Sequence, residues 1–124
     1  MYIKDKMESI TQTELAKAFS IGEFEKTYKY LSDDATWMIV GEKTITGKQA
    51  ILDHCGQVAA YFESVFTNFH TLNIVSNQHR VVVEGTAEFL KDDKRVSFIA
   101  ACDVYEFNND GQIQRIASYC IPEK

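Results

Sequence analysis

The feature that most constrains this chain is a change of hydrophobic period partway along it. From Phe69 onward, four runs read as strands: Phe69–Val75, Arg80–Leu90, Arg95–Phe107 and Gln112–Ile121. The connections Ser76-Asn77-Gln78, Lys91-Asp92-Asp93-Lys94 and Asn108-Asn109-Asp110-Gly111 are turn chemistry and only a few residues long. Links that short pair neighbouring strands antiparallel. Before them the spacing is helical. Leu15, Ala18 and Phe19, then Phe24, Tyr28 and Leu31, recur every three or four residues, with Gly22 as a break and Ser32-Asp33-Asp34 as the end of a second helix. A short strand over Ala35–Val40 and an extended Thr44-Ile-Thr follow. A third helix then opens at Gly47, with Ile51, Cys55, Val58, Phe62 and Phe66 on one stripe. Helices first and a meander afterwards predict an α+β fold.

Alternation within the strands predicts which faces are covered. In Arg80–Leu90 the positions Val81, Val83, Gly85, Ala87 and Phe89 are apolar or small, while Arg80, Glu84, Thr86 and Glu88 alternate with them. Arg95–Phe107 is apolar on both sides: Phe98, Ala100, Cys102 and Val104 on one, Ile99, Ala101, Tyr105 and Phe107 on the other. Such a strand must be covered twice. Three helices cover one face, and the other is expected to meet a second copy of the chain in a homodimer.

Length and charge narrow the function classes. At 124 residues the chain is read as one domain, residues 1–124, and its 45% hydrophobic content supplies one core. A net charge of −5 argues against phosphate backbones, so no nucleic-acid partner is expected. No apolar run reaches the roughly 20 residues of a membrane helix. The opening Met1-Tyr-Ile-Lys-Asp-Lys turns polar at once and is read as no signal peptide. Cys55, Cys102 and Cys120 form an odd set without a CxxC pair, which fits reduced thiols and a cytoplasmic location. No phosphate, nicotinamide or flavin motif is present, and His54, His70 and His79 lack ligand spacing, so neither cofactor nor metal is expected.

Asp103 breaks the apolar pattern of its face. A carboxylate there must be protonated, hydrogen-bonded or open to a cavity. Two readings follow: an acid satisfied at an edge or by a neighbouring hydroxyl, or a pocket-lining acid with a raised pKa. Three stretches then resemble the SnoaL-like and ketosteroid-isomerase-like members of the nuclear-transport-factor-2-like superfamily. They are Leu31-Ser-Asp-Asp-Ala-Thr-Trp, Thr46-Gly-Lys-Gln-Ala-Ile51 and Cys102-Asp-Val-Tyr-Glu-Phe-Asn-Asn-Asp-Gly-Gln-Ile113. The resemblance implies a cystatin-like cone: three N-terminal helices packed on a strongly curved, mostly antiparallel sheet, with a small-molecule pocket at its open end. The same fold hosts isomerases, cyclases, dehydratases, epoxide hydrolases and non-catalytic adaptors.

The resemblance also assigns positions. Asp103 falls where ketosteroid isomerases keep a protonated acid. Ile39 stands where their base would be and Leu15 near their tyrosine, so a steroid isomerase is excluded: an aliphatic side chain takes no proton. His54, at a pocket-facing helical position, and His70, at the start of the third strand, are the candidate bases. A solvent-facing His54 and a backbone-bonded His70 are the alternatives, and His79 is read as an exposed turn residue. Parity and resemblance together sketch the wall. Trp37 and Ile39 come from the first strand, and Val58, Tyr61, Phe62 and Phe66 from the third helix. Gly85, Ala87, Ala101, Tyr105, Ser118 and Cys120 come from the meander, while Tyr119 points outward. Plain core packing is the competing account of the aromatics, and Cys120 has no neighbouring cation to make it a nucleophile. The expected ligand is a small, apolar, oxygenated molecule. The expected function is acid–base catalysis, or else non-catalytic binding of a ligand or protein by the same cone.

Overall fold

A computed structural model describes residues 10–123. Helix α1 (Gln12–Ser20) starts at a capping box: the Glu14 amide donates to Thr11 Oγ1 at 3.0 Å and the Thr11 amide to Glu14 Oε1 at 3.1 Å. Its apolar stripe buries Leu15, Ala16, Ala18 and Phe19. The chain then turns through Gly22 at φ 82°, where a Cβ would stand 2.7 Å from the Phe62 ring.

The next segment departs from the expected helix. Phe24–Tyr30 is a 3₁₀ helix, and strand β1 (Leu31–Ile39) begins at Leu31, before the Ser32-Asp33-Asp34 stop. Leu31 is fully buried and pairs with Ile113, so pairing in the sheet takes precedence over its helical spacing. Strand β2 (Lys43–Thr46) pairs back onto β1, and helix α2 (Lys48–Ser64) follows Gly47. Ile51 and Cys55 of its stripe are fully buried, and Val58 and Phe62 pack against the core. Phe66 does not continue that stripe. The helix ends at Ser64, and Phe66 opens strand β3 (Phe66–Ser76), where it pairs with Leu90 and is 70% exposed.

Strands β4 (Arg80–Lys91), β5 (Lys94–Phe107) and β6 (Ile113–Pro122) complete a six-stranded sheet in the order β2-β1-β6-β5-β4-β3. Only the β1–β6 junction is parallel. The fold is thus the expected α+β architecture: three helical segments on a mixed, mostly antiparallel sheet that does not close into a barrel.

Register sorts the inner face into cross-strand rows, because directly paired residues point the same way. One row is Val81–Tyr105–Ile116–Trp37. Its Val81, Tyr105 and Ile116 are fully buried and form solid core with Leu15, Leu31 and Ile51. The next row is Val83–Asp103–Ser118–Ile39, then Thr71–Gly85–Ala101–Cys120, then Phe69–Ala87–Ile99. Small side chains in these later rows leave the sheet floor low. A bulge between Thr71 and Asn73 brings the His70 carbonyl oxygen within 2.6 Å of where a Gly85 Cβ would sit. The outer face of β5 is less covered, with Ala100 exposed and Phe98, Cys102 and Val104 half-buried. None of the described helices is long and apolar enough to cross a membrane.

Candidate active site

Above the low rows lies a cavity of about 320 Å³, roofed by α1, the 3₁₀ helix and α2. Asp103 stands in its wall at the last open row before the solid core. It is 9% exposed. Ser20, the final residue of α1, donates its hydroxyl proton to Asp103 Oδ2 at 2.8 Å, and its oxygen lies 2.6 Å from the Tyr105 hydroxyl. On the other side, Trp37 Nε1 donates to Ser118 Oγ at 2.9 Å, and Ser118 sits directly across from Asp103 on β6.

Two effects compete for the Asp103 proton. Burial raises its pKa above the ordinary carboxylate value, and the hydroxyls of Ser118 and Ser20 pull it partway back; burial prevails. Tyr105 is pushed well above a normal phenol, first by burial and then by the Asp103 charge, and so keeps its proton. Each hydroxyl carries one hydrogen, which fixes the direction of the chain. With Asp103 ionised, Tyr105 donates to Ser20 and Ser20 to Asp103. With Oδ2 protonated, the chain can run the other way. Both protonation states are therefore hydrogen-bonded in a buried place, which is what a group exchanging a proton requires. Replacing Ser20 by Ala removes a donor that favours the charged form. Asp103 in Ser20→Ala is expected to titrate at a higher pH than in the wild type, read from the side-chain carboxyl carbon by NMR.

His54 also lines the cavity, half-buried, with its ring edge-on to Trp37 at 5.2 Å between centroids. Burial lowers its pKa, Lys43 adds to that, and Glu42 opposes it, so the imidazole is neutral near pH 7. The Trp37 indole therefore has His54 against its ring and Ser118, the neighbour of Asp103, on its nitrogen. His70 is placed differently from the sequence expectation. It pairs with Thr86 on the outward-facing parity and is exposed, yet it still borders the cavity, with its carbonyl oxygen close beside Gly85.

Trp37, Ile39, Val58, Tyr61 and Phe62 all line the cavity, as do Gly85, Ala87, Ala101, Ser118 and Cys120. Phe66 and Tyr105 do not. Phe66 lies on an edge strand, and Tyr105 is one row too deep, walled off beneath Asp103 and Ser20. Burial pushes the Cys120 thiol up to about 11, which leaves it protonated and a poor nucleophile. Sequence reasoning did not find Ser20, which meets Asp103 across 83 residues of chain. It also did not place Phe19, Phe24 or Phe69 in the wall, although all three line the cavity. Among the described residues, no three His, Cys, Asp or Glu side chains are grouped to hold a metal.

The family model described as a SnoaL-like domain matches residues 13–116. The chain belongs to the SnoaL-like family. In structure, this SnoaL-like protein is similar to an NTF2-like protein of unknown function from Cytophaga hutchinsonii, with TM-score 0.78 and 30% identity over 86% of this chain and 93% of that one. It also shares its fold with an LEH-like epoxide hydrolase of M. tuberculosis (TM-score 0.67, 19% identity, 89% of this chain and 82% of that one). A third similar structure is SalBIII, an epoxide hydrolase/cyclase-like enzyme with a role in pyran ring formation in salinomycin (TM-score 0.68, 17% identity, 89% and 90% covered). No curated protein matches the sequence significantly.

Proposed function

We propose that this SnoaL-like protein is an acid–base catalyst of the isomerase, cyclase or dehydratase type, acting without a cofactor on a small, mostly apolar molecule. The molecule presents one oxygen to Asp103. The observation that carries this reading is a buried carboxyl group, hydrogen-bonded in either protonation state, that faces a hollow apolar cavity instead of packed side chains. Protonated Asp103 donates to the substrate oxygen, and neutral His54 accepts the proton released elsewhere on the substrate, directly or through water. Burial moves the two pKa values toward each other, Asp103 upward and His54 downward. That enlarges the fraction of molecules holding both groups in the productive state.

The likeness of the fold to epoxide hydrolase-like and cyclase-like enzymes supports an oxygenated apolar substrate. A panel of small epoxides, enones and β-hydroxy ketones, with products read by mass spectrometry, tests the reading. Turnover that depends on Asp103 supports it. Binding throughout the panel with no turnover favours the alternative, a binding module, which the aliphatic Ile39 beside the acid also favours.

The reading extends to assembly and location. The outer sheet face carries exposed Tyr119, Ile121 and Val75, bordered by the ion pairs Arg115–Glu106 at 2.8 Å and Arg95–Glu88 at 2.7 Å. A second copy of the chain is the expected cover, because an apolar stripe with a charged rim has the anatomy of an interface. Tyr119→Arg is then expected to halve the mass seen by sedimentation. The free thiols Cys55, Cys102 and Cys120 fit a cytoplasmic protein.

A further inference from the structure

The charge around the cavity has one sign. Asp103 is the single carboxylate among its lining residues, and no Lys or Arg lines it. Burial holds His54 neutral near pH 7, Cys120 keeps its thiol proton, and His70 sits on the outward-facing parity. Ser20, Ile21 and Gly22, the end of α1 and the two residues after it, also line the wall. The negative end of that helix dipole therefore lies at the cavity. Phe19 and Trp37 line the Asp103 end, edge-on to one another at 4.9 Å between centroids, and ring faces attract cations.

Asp103 has hydrogen-bond donors but no counter-ion. Ser20 donates to it at 2.8 Å, and Ser118 stands across from it on β6. None of the ion pairs among the described residues includes it. Taking this carboxylate out of water is a cost met on folding, before any ligand arrives. A ligand that brings a cation gains the attraction and adds only its own desolvation. A ligand that brings a carboxylate would stand unpaired beside a like charge.

We propose that the cavity is a cation-accepting site, which takes the ammonium group of an apolar primary amine against Asp103 and excludes carboxylates of the same skeleton. Amine binding needs no turnover, so it stands apart from the acid–base reading. The probes are cyclohexylmethylamine, cyclohexylmethanol and cyclohexanecarboxylate, which share one hydrocarbon body, titrated into the full chain at pH 8. Calorimetry and the fluorescence of Trp37, the one tryptophan, give the affinities.

The amine is expected to bind at least about tenfold tighter than the alcohol and about a hundredfold tighter than the carboxylate, within the range that close desolvated charge pairs span. Asp103→Asn should bring the amine down to the level of the alcohol. In the wild type, amine affinity should climb as pH rises and Asp103 ionises, which makes the same test if the variant does not fold. Among the groups around Asp103, Tyr105, Cys102 and Cys120 keep their protons over that range, and α1 and β4 face it with Ser20 and Val83. His54 on α2 repels the amine once protonated, and Glu42 and Lys43 act on His54 with opposite signs. His54→Gln should therefore leave the climb in place. An amine that binds no tighter than the alcohol or not at all, a carboxylate that binds as well as the amine, or a climb lost in His54→Gln overturns the proposal. Amine selection with no turnover of any substrate leaves it standing and removes the catalytic reading alone; turnover without amine selection does the reverse.

Discussion

Asp103→Asn is expected to lower turnover by about 10²–10⁴-fold, the range that positioned proton transfer contributes. The amide keeps the size of the carboxyl, and its oxygen still accepts from Ser20, so the hydrogen bond and the cavity survive while the transferable proton is lost. Ligand affinity should change far less than kcat. Stability should move the other way. The folded-state pKa of Asp103 is raised, so between the ordinary carboxyl value and the raised one the folded chain holds a proton that the unfolded chain has released. Stability contributed by this group is present at low pH and is lost as pH climbs through that window. Asn has no such slope. Urea unfolding should show the two proteins alike near pH 3, with the variant the more stable at pH 8. A wild type that gains on the variant as pH rises would place a comfortably charged carboxylate at this position and remove the general acid.

Gly85→Ala is expected to destabilise the fold by about 1–3 kcal/mol, the usual cost of forcing an atom into packed space. Ala normally gains about 0.5–1 kcal/mol over Gly inside a strand. Here the new Cβ would meet the His70 carbonyl oxygen at 2.6 Å and the Thr71 Cα at 3.3 Å, both backbone atoms of β3. Backbone does not swing aside as a side-chain tip does, so the clash outweighs the gain. Gly56→Ala is the control. Gly56 lies within α2 with nothing within 4 Å of its would-be Cβ, and the change should stabilise by up to about 1 kcal/mol. Opposite shifts of the urea midpoint at unchanged slope are the expected pattern. If Gly85→Ala were neutral, the close passage of β3 over β4 would not be what shapes the sheet there.

Period and parity made most of this architecture legible. Alternation in β4 gave its inner face correctly; β5 read as apolar on both sides, but parity grouped Asp103 with Ile99, Ala101, Tyr105 and Phe107, the side that lines the cavity. Parity carries no information about depth, however. Tyr105 shares the face of Asp103 but lies one row further down, where the core is solid. Helical spacing also does not say where a helix stops: Phe66 continues the α2 stripe on paper, but pairing with Leu90 takes it into β3. His70 shows a local pattern overriding a position suggested by resemblance. Phe69 pairs with Ala87 on the inside, so its neighbour had to face out. Ser20 left no signal, because its meeting with Asp103 depends on where the end of α1 comes to rest over the sheet.

The step from the Tyr105 row to the Asp103 row has a consequence for how this molecule can change over time. Two residues along the same strand separate a position whose alteration threatens folding from one whose alteration changes what the cavity offers its guest. Selection acting on Ala87, Ala101 or Ser97 can therefore retune the guest with little penalty to the scaffold. One framework can in this way acquire new chemistries without being rebuilt.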